Sequence, residues 1–293
     1  MYVLRMKSNQ KRLFIVKNRK ILIVCSMNDI MNRIYNTFYH ERLFTLREAN
    51  KIIKNYQVCK NTISRLQKKG LIKRVRSGLY YIIPIDDPQF YPDPIHVATK
   101  LRENGVMSCN SSFTVLKCLA REKTIYLSAT HSAKMRVKDI TFRLLKQKHL
   151  LGTLETTYST TYATIPIKVS DLEKTIIDCL WNRTMQIEQL ITVLKYAKTI
   201  NHTINPSRML SYLEKIKKPI LYHKTGFVLD TVKEYFGISE DDLEAFHKKL
   251  SSKKFYFKEK GLRLTRPRYM YIKRWKVMIP EQRYIALFPK ATE

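Results

Sequence analysis

The sequence predicts an α+β protein in two parts: three helices with a basic hairpin, then a mixed region with a short sheet and several helices. Three observations predict it. Apolar residues recur at helical spacing three times between residues 28 and 69. Two short apolar-rich runs then flank Ser77-Gly78 in GLIKRVRSGLYYIIP, as in a hairpin. Beyond residue 95, segments rich in Thr, Tyr and branched residues give way to capped helical runs.

Residues 1–26 carry seven basic residues and no acid. They read as a basic N-terminal extension: a hairpin turning at Lys17 to Lys20, an arm, or an upstream extension. After Asn28-Asp29, Ile30, Ile34 and Phe38 mark a first helix. In FTLREANKII, Thr45 and Glu48 match a capping box, with the hydroxyl toward the N3 amide and the carboxylate back toward the cap amide. Leu46, Ala49 and Ile53 give that second helix its inner face. Asn55 to Val58 reads as a short connection. A third helix has Cys59, Ile63 and Leu66 inward and ends before Gly70. The hairpin follows at once and is closed by Pro84. Three helices and a hairpin in about 60 residues is the order of a winged helix-turn-helix domain, here residues 27–84.

The outer face of the third helix carries Asn61, Ser64, Arg65 and Lys68 at i, i+3, i+4 and i+7, opposite the apolar stripe. Such residues also decorate ordinary exposed helices. In a helix-turn-helix, however, the second helix of the motif enters the major groove, where Asn pairs with adenine and Arg with guanine. Behind a capped helix and before a basic hairpin, these four are therefore expected to read bases. Lys51, Lys54, Lys60, Lys73, Arg74, Arg76 and Ser77 are expected along the backbone or minor groove. Residues 1–83 hold nineteen Lys and Arg against three acids. About half of the formal charge of +31 therefore sits where the motif is.

Residues 85–94, PIDDPQFYPDP with the preceding Pro84, read as a rigid linker. A second domain is expected over 95–250. Helices are predicted at Ile95 to Arg102 and in SCNSSFTVLKCL, then strands at Lys123 to Ala129, Met135 to Leu145 and Thr157 to Val169. SDLEKTIIDCLW changes the period to helical, with Ser170 and Glu173 as a second capping box. Further helices are predicted at Ile187 to Thr199, at Pro206 to Ile216 capped by Asn205, at Phe227 to Phe236, and at Asp241 to Leu250 capped by Ser239. Residues 251–293 read as two strands interleaving aromatics with Lys258, Lys260, Arg263, Arg266, Arg268, Lys273, Arg274 and Lys276. Such strands either bind single-stranded nucleic acid or pack Tyr269, Tyr271 and Trp275 on one face. Packing is the preferred reading for the aromatics, and phosphate contact for some of the cations.

A charge of +31 with a pI near 10.0 points to a polyanionic partner, nucleic acid first and an anionic membrane surface second. No apolar run is long enough for a signal peptide or a membrane span, so a cytoplasmic protein without a membrane partner is expected. The five cysteines are scattered, and no C-x-x-C occurs. The seven histidines never pair at i, i+3 or i, i+4, and no phosphate-binding glycine loop is present. A metal-dependent nuclease core needs a carboxylate two residues before a lysine, and no Asp or Glu has Lys at that position. Asp171, Glu173, Lys174 and Asp178 read as structural helix residues. No catalytic, cofactor-binding or metal-binding residue is expected, and the protein is expected not to be an enzyme.

Four segments in order (FTLREA, KKGLIKRVRSGLYYI, VSDLEKTIIDCL about 85 residues downstream, and GFVLD at Gly226 to Asp230) resemble the AbiEi antitoxin family over about residues 28 to 236. That family consists of winged-helix transcriptional regulators of viral-defence toxin–antitoxin loci. The resemblance implies a self-associating repressor of its own operon on double-stranded DNA, and an antitoxin to a nucleotidyltransferase toxin that it does not bind tightly. The first 26 residues and the tail after about Leu250 fall outside the shared pattern. The alternative is an RNA- or single-strand-binding or nucleic-acid-processing factor using the basic C-terminal strands.

Overall fold

The computed structural model describes residues 13–17, 20–24, 29–102, 104–148, 150–257 and 268–289. The chain is a mixed α+β protein with eleven helices among those residues. It divides into two compact units, Met1–Glu103 with Thr157–Ile165, and Asn104–Thr156 with Pro166–Glu293.

In the first unit, β1 (Leu13–Lys17) and β2 (Lys20–Val24) pair antiparallel, Lys17 opposite Lys20. This pairing has the form of the expected hairpin. Helix α1 (Asp29–Phe38) buries Met31, Ile34, Tyr35 and Phe38. A short strand, β3 (Leu43–Thr45), precedes α2 (Leu46–Ile53) and is an element absent from the sequence reading. The predicted capping box forms: Thr45 Oγ1 accepts from Glu48 N at 3.1 Å, and Glu48 Oε2 accepts from Thr45 N at 2.7 Å. Thr45→Ala is expected to cost about 1 kcal/mol, measurable by denaturant titration.

Helix α3 spans Tyr56–Lys68, so the predicted connection over Asn55 to Val58 is too long. Lys54 closes α2 in the left-handed region at φ 59, and Asn55 Oδ1 caps α3 by accepting from Val58 N at 3.0 Å. Two residues thus suffice for the turn. Cys59, Ile63 and Leu66 face inward as predicted, with Thr62. Helix α3 ends where Gly70 takes φ 68, Gly70 N donates to Gln67 O and Leu71 N to Leu66 O. These are the two bonds of a Schellman cap.

The predicted hairpin is β4 (Ile72–Arg76) with β5 (Leu79–Ile82), turning at Ser77-Gly78 with Gly78 at φ 78. A bulge lies between Arg74 and Arg76. Strand β5 is central, with β3 and β4 on either side. Phe38 stacks on Phe44 at 4.5 Å, and with Ile34, Ile63, Leu66, Ile72 and Ile82 they form this unit's core. Helix α4 (Pro94–Leu101) is capped by Asp93, whose side chain accepts from Ile95 N at 2.7 Å. Lys100 Nζ bonds Glu48 Oε1 at 2.5 Å. Burial pushes the Glu48 carboxyl up, but Lys100 and Thr45 outweigh it and hold it below its usual value. Its cap is therefore retained at neutral pH and weakened only in acid, as the carboxylate protonates.

A six-stranded mixed sheet, in the second unit except for the parts of β10 and β11 within Thr157–Ile165, has the order β10-β11-β6-β7-β9-β8. Its strands are β6 (Val106–Met107), β7 (Thr124–Ala129), β8 (Ala133–Val137), β9 (Ile140–Lys146), β10 (Thr153–Ser159) and β11 (Thr164–Ser170). Two predicted strands are thus hairpins: Met135 to Leu145 turns at Lys138-Asp139, and Thr157 to Val169 lies in β10–β11. Helix α5 (Asn110–Val115) is shorter than expected.

Helix α6 (Leu172–Asn182) is capped by Asp171, which accepts from Lys174 N at 2.8 Å, and not by Ser170. The second predicted capping box does not form. Glu173 instead binds Arg208 at 2.8 Å and Asn205 N at 2.6 Å, from far along the chain. Helices α7 (Ile187–Thr199) and α8 (Pro206–Ile216, capped by Asn205) have the predicted bounds. Helix α9 (Pro219–Phe236) begins eight residues before the predicted Phe227. Helix α10 (Glu240–His247) carries the Ser239 cap. A small sheet orders β12 (Phe255–Tyr256), β14 (Val277–Pro280) and β13 (Tyr269–Ile272), and α11 (Glu281–Leu287) follows unpredicted. No described helix is long and apolar enough to cross a membrane.

Candidate nucleic-acid interface

Helix α3 buries one stripe, and the opposite stripe is what remains to meet a partner. Asn61, Ser64, Arg65 and Lys68 are all exposed on that outer face. Lys60, one position earlier, is exposed too and places its ammonium 4.7 Å from the Tyr56 ring centroid. Lys51 and Lys54, at the end of α2, and Lys73, Arg74, Arg76 and Ser77, along β4 and its turn, are likewise exposed. All eleven sequence-predicted residues are therefore solvent-facing, on α3 and on the two elements that flank it in the chain.

The charge of this set is not neutralised from within. Among the described residues, none of Lys51, Lys54, Lys60, Arg65, Lys68, Lys73, Arg74 and Arg76 makes an ion pair with a carboxylate. In the second unit, by contrast, Lys249 meets Glu214 at 3.0 Å and Arg274 meets Glu240 at 2.6 Å. Eight unpaired cations around one helix and one hairpin repel one another, which lowers stability.

The hairpin is held by its inner face. Leu79, Tyr81 and Ile82 are buried, and Leu46 N donates to Gly78 O at 2.8 Å. The turn is thus tied to the start of α2, which the Thr45–Glu48 box caps. The bulge beside Val75 turns the strand locally, between the Arg74 and Arg76 positions.

Gln57 joins this face, although its sequence position places it in a connection. Because α3 begins at Tyr56, Gln57 belongs to its exposed first turn, and its Nε2 donates to Asn61 Oδ1 at 3.3 Å. The sign that could have found it was Asn55, a capping residue read as part of a connection. Gln57 and Asn61 together form an amide pair one turn long on the outer face.

The C-terminal strands are a weaker interface. Trp275 is fully buried and donates from Nε1 to Asp230 Oδ2 at 2.8 Å, whereas Tyr271 is exposed and Tyr269 half-buried. The expectation that all three aromatics pack on one face therefore fails, because Trp275 lies in the β13–β14 turn and not in a strand. Arg274 is taken by Asp230 and Glu240, and Lys276 donates to Ser251 O at 3.1 Å. Arg268 and Lys273 are exposed, while Lys258, Lys260, Arg263 and Arg266 lie outside the described residues.

Asp171, Glu173, Lys174 and Asp178 are all buried and bonded to protein groups. Lys174 pairs with Asp178 and donates to Gln147 Oε1, while Asp171 accepts from the Tyr212 hydroxyl at 2.7 Å. Among the described residues, no group of three His, Cys, Asp or Glu is placed to hold a metal. Compared with the known protein families, and with curated proteins, the chain matches none.

Proposed function

We propose that the first unit is a winged helix-turn-helix that binds double-stranded DNA, and that the chain is a transcriptional regulator. One observation carries the reading: eight cations without carboxylate partners, gathered on α3, the end of α2 and the β4–β5 hairpin, around an exposed Asn–Ser–Arg–Lys stripe. In this reading α2 and α3 are the helix-turn-helix, with a two-residue turn, and β4–β5 is the wing. Gln57, Asn61, Ser64, Arg65 and Lys68 enter the major groove, where amides match adenine and guanidinium matches guanine. Lys51, Lys54, Lys60, Lys73, Arg74, Arg76 and Ser77 grip phosphate and fix the register.

The order of its motifs and their likeness to the AbiEi antitoxins extend the proposal. The regulator would act as a self-associating repressor at inverted repeats before its own gene, and as antitoxin to a nucleotidyltransferase encoded beside it. Relief of that neighbour's toxicity by co-expression is the test of the antitoxin part. For DNA binding, Arg74→Ala should weaken binding to every duplex alike. It should also lower the salt slope of log K by about 1. An unchanged slope would remove Arg74 from the phosphate contacts. The C-terminal strands are not favoured as the binding surface, since Arg274 and Lys276 are already bonded within the protein.

A further inference from the structure

The second unit holds a cavity of about 470 Å³ between the sheet and its helices, within the size range of small-molecule sites. Its most telling wall residue is Lys224, from the middle of α9. Lys224 is only 2% exposed, and among the described residues no carboxylate pairs with it. Its ammonium instead sits 4.8 Å from the Phe257 ring centroid. A buried cation without an anion is costly, and an anionic ligand would supply the missing charge.

The rest of the wall has the same sign. Arg183 ends α6 in the left-handed conformation at φ 52 and lines the cavity. Lys134 and Arg143 also line it, and they are directly opposite each other across β8 and β9. Like charges in that position destabilise a strand pair. The amino end of α7, through Gln186, Ile187 and Gln189, closes another side and adds the positive end of a helix dipole. No Asp or Glu lines the cavity. Three acids beside the wall bond other protein groups: Asp178 pairs with Lys174, Glu188 with Arg283, and Glu122, which acts on Tyr126, accepts from Asn110 Nδ2 at 2.9 Å.

We propose that this cavity binds a nucleotide-sized phosphate ester, its phosphate held by Lys224, Arg183 and the amino end of α7, and its organic part against Tyr126 and Phe257. The site is independent of the proposed DNA face. Lys224 is pushed down to about 8, by burial and then by Arg183. The other titratable or charged groups on the cavity wall are Tyr126, Lys134, Arg143 and Cys179. Affinity should therefore be full near pH 7 and fall as Lys224 loses its proton above pH 8.

Calorimetric titration of the full chain at pH 7 with ADP, pyrophosphate and adenosine tests this. ADP and pyrophosphate should bind, and adenosine should not. Lys224→Met should weaken both phosphates by about tenfold or more, in keeping with a lost charge-assisted bond. Its melting temperature should rise, because an unpaired buried charge is gone. Arg183→Gln, at an exposed position, should weaken binding several-fold and serves if Lys224→Met does not fold. Lys249→Gln, a surface change away from the cavity, should leave it intact. The proposal is overturned if the phosphates fail to bind. It is equally overturned if Lys249→Gln weakens binding as much as the cavity variants do.

Discussion

Gly226→Ala should destabilise the second unit by about 3 kcal/mol, the upper end of what overpacking a core usually costs. A Cβ built on Gly226 would meet the Trp275 ring at 2.1 Å, far inside contact distance. The ring has nowhere to go, since Trp275 is fully buried and tied to Asp230 through its indole nitrogen. Moving it forfeits that hydrogen bond, about 1 kcal/mol, and disturbs the β13–β14 turn in which it sits. The helical preference of alanine over glycine, about 1 kcal/mol, offsets only part of this. Denaturant unfolding of Gly226→Ala, Trp275→Leu and the double variant measures it. The cost of Gly226→Ala should shrink sharply in the Trp275→Leu background, because the two changes share one contact. Equal costs in both backgrounds would show that the ring is not what excludes a side chain at 226.

Arg65→Ala should weaken binding to the cognate duplex by about 1–3 kcal/mol while leaving random duplex nearly unaffected. In affinity this is roughly five- to 150-fold. Arg65 is exposed on the outer face of α3, one helical turn from Asn61 and beside Ser64. It has no carboxylate to release before meeting a base, so little reorganisation opposes the contact. Anisotropy titrations with the operator and a scrambled duplex separate the outcomes. Equal losses on both sequences would make Arg65 a phosphate contact, and the specificity would then have to come from Gln57 and Asn61.

Local rules made the first unit readable. The Thr45–Glu48 box, the Ser77-Gly78 turn and the Gly70 cap each depend on residues within a few positions of one another, and each forms. Helix α8 is legible for the same reason, with Asn205 as cap and Pro206 at its first position. Where a second side chain competes, the rule loses. Asp171 outbids Ser170 for the cap of α6, and Arg208, 35 positions away, draws Glu173 out of the box. The hairpin at Lys138-Asp139 has no glycine to announce it, because Lys138 itself takes φ 53. Strand β3 is three residues long and defined by its partner, so no periodicity reveals it. The outer stripe of α3 was legible because a single helix presents it. The cationic cavity was not, since Lys134, Arg143, Arg183 and Lys224 come from four separate elements.

The proposed reading of double-stranded DNA by α3 and its hairpin has one decisive experiment. The direct measurement is the affinity of the full chain for four nucleic acids at two salt concentrations: the duplex upstream of its gene, a scrambled duplex, and single-stranded DNA and RNA of the upstream sequence. The upstream duplex should bind tightest, by about a thousandfold or more over the scrambled duplex. Log affinity should fall linearly with log salt for both duplexes. Binding to RNA or single strands as tight as to the upstream duplex would contradict that reading.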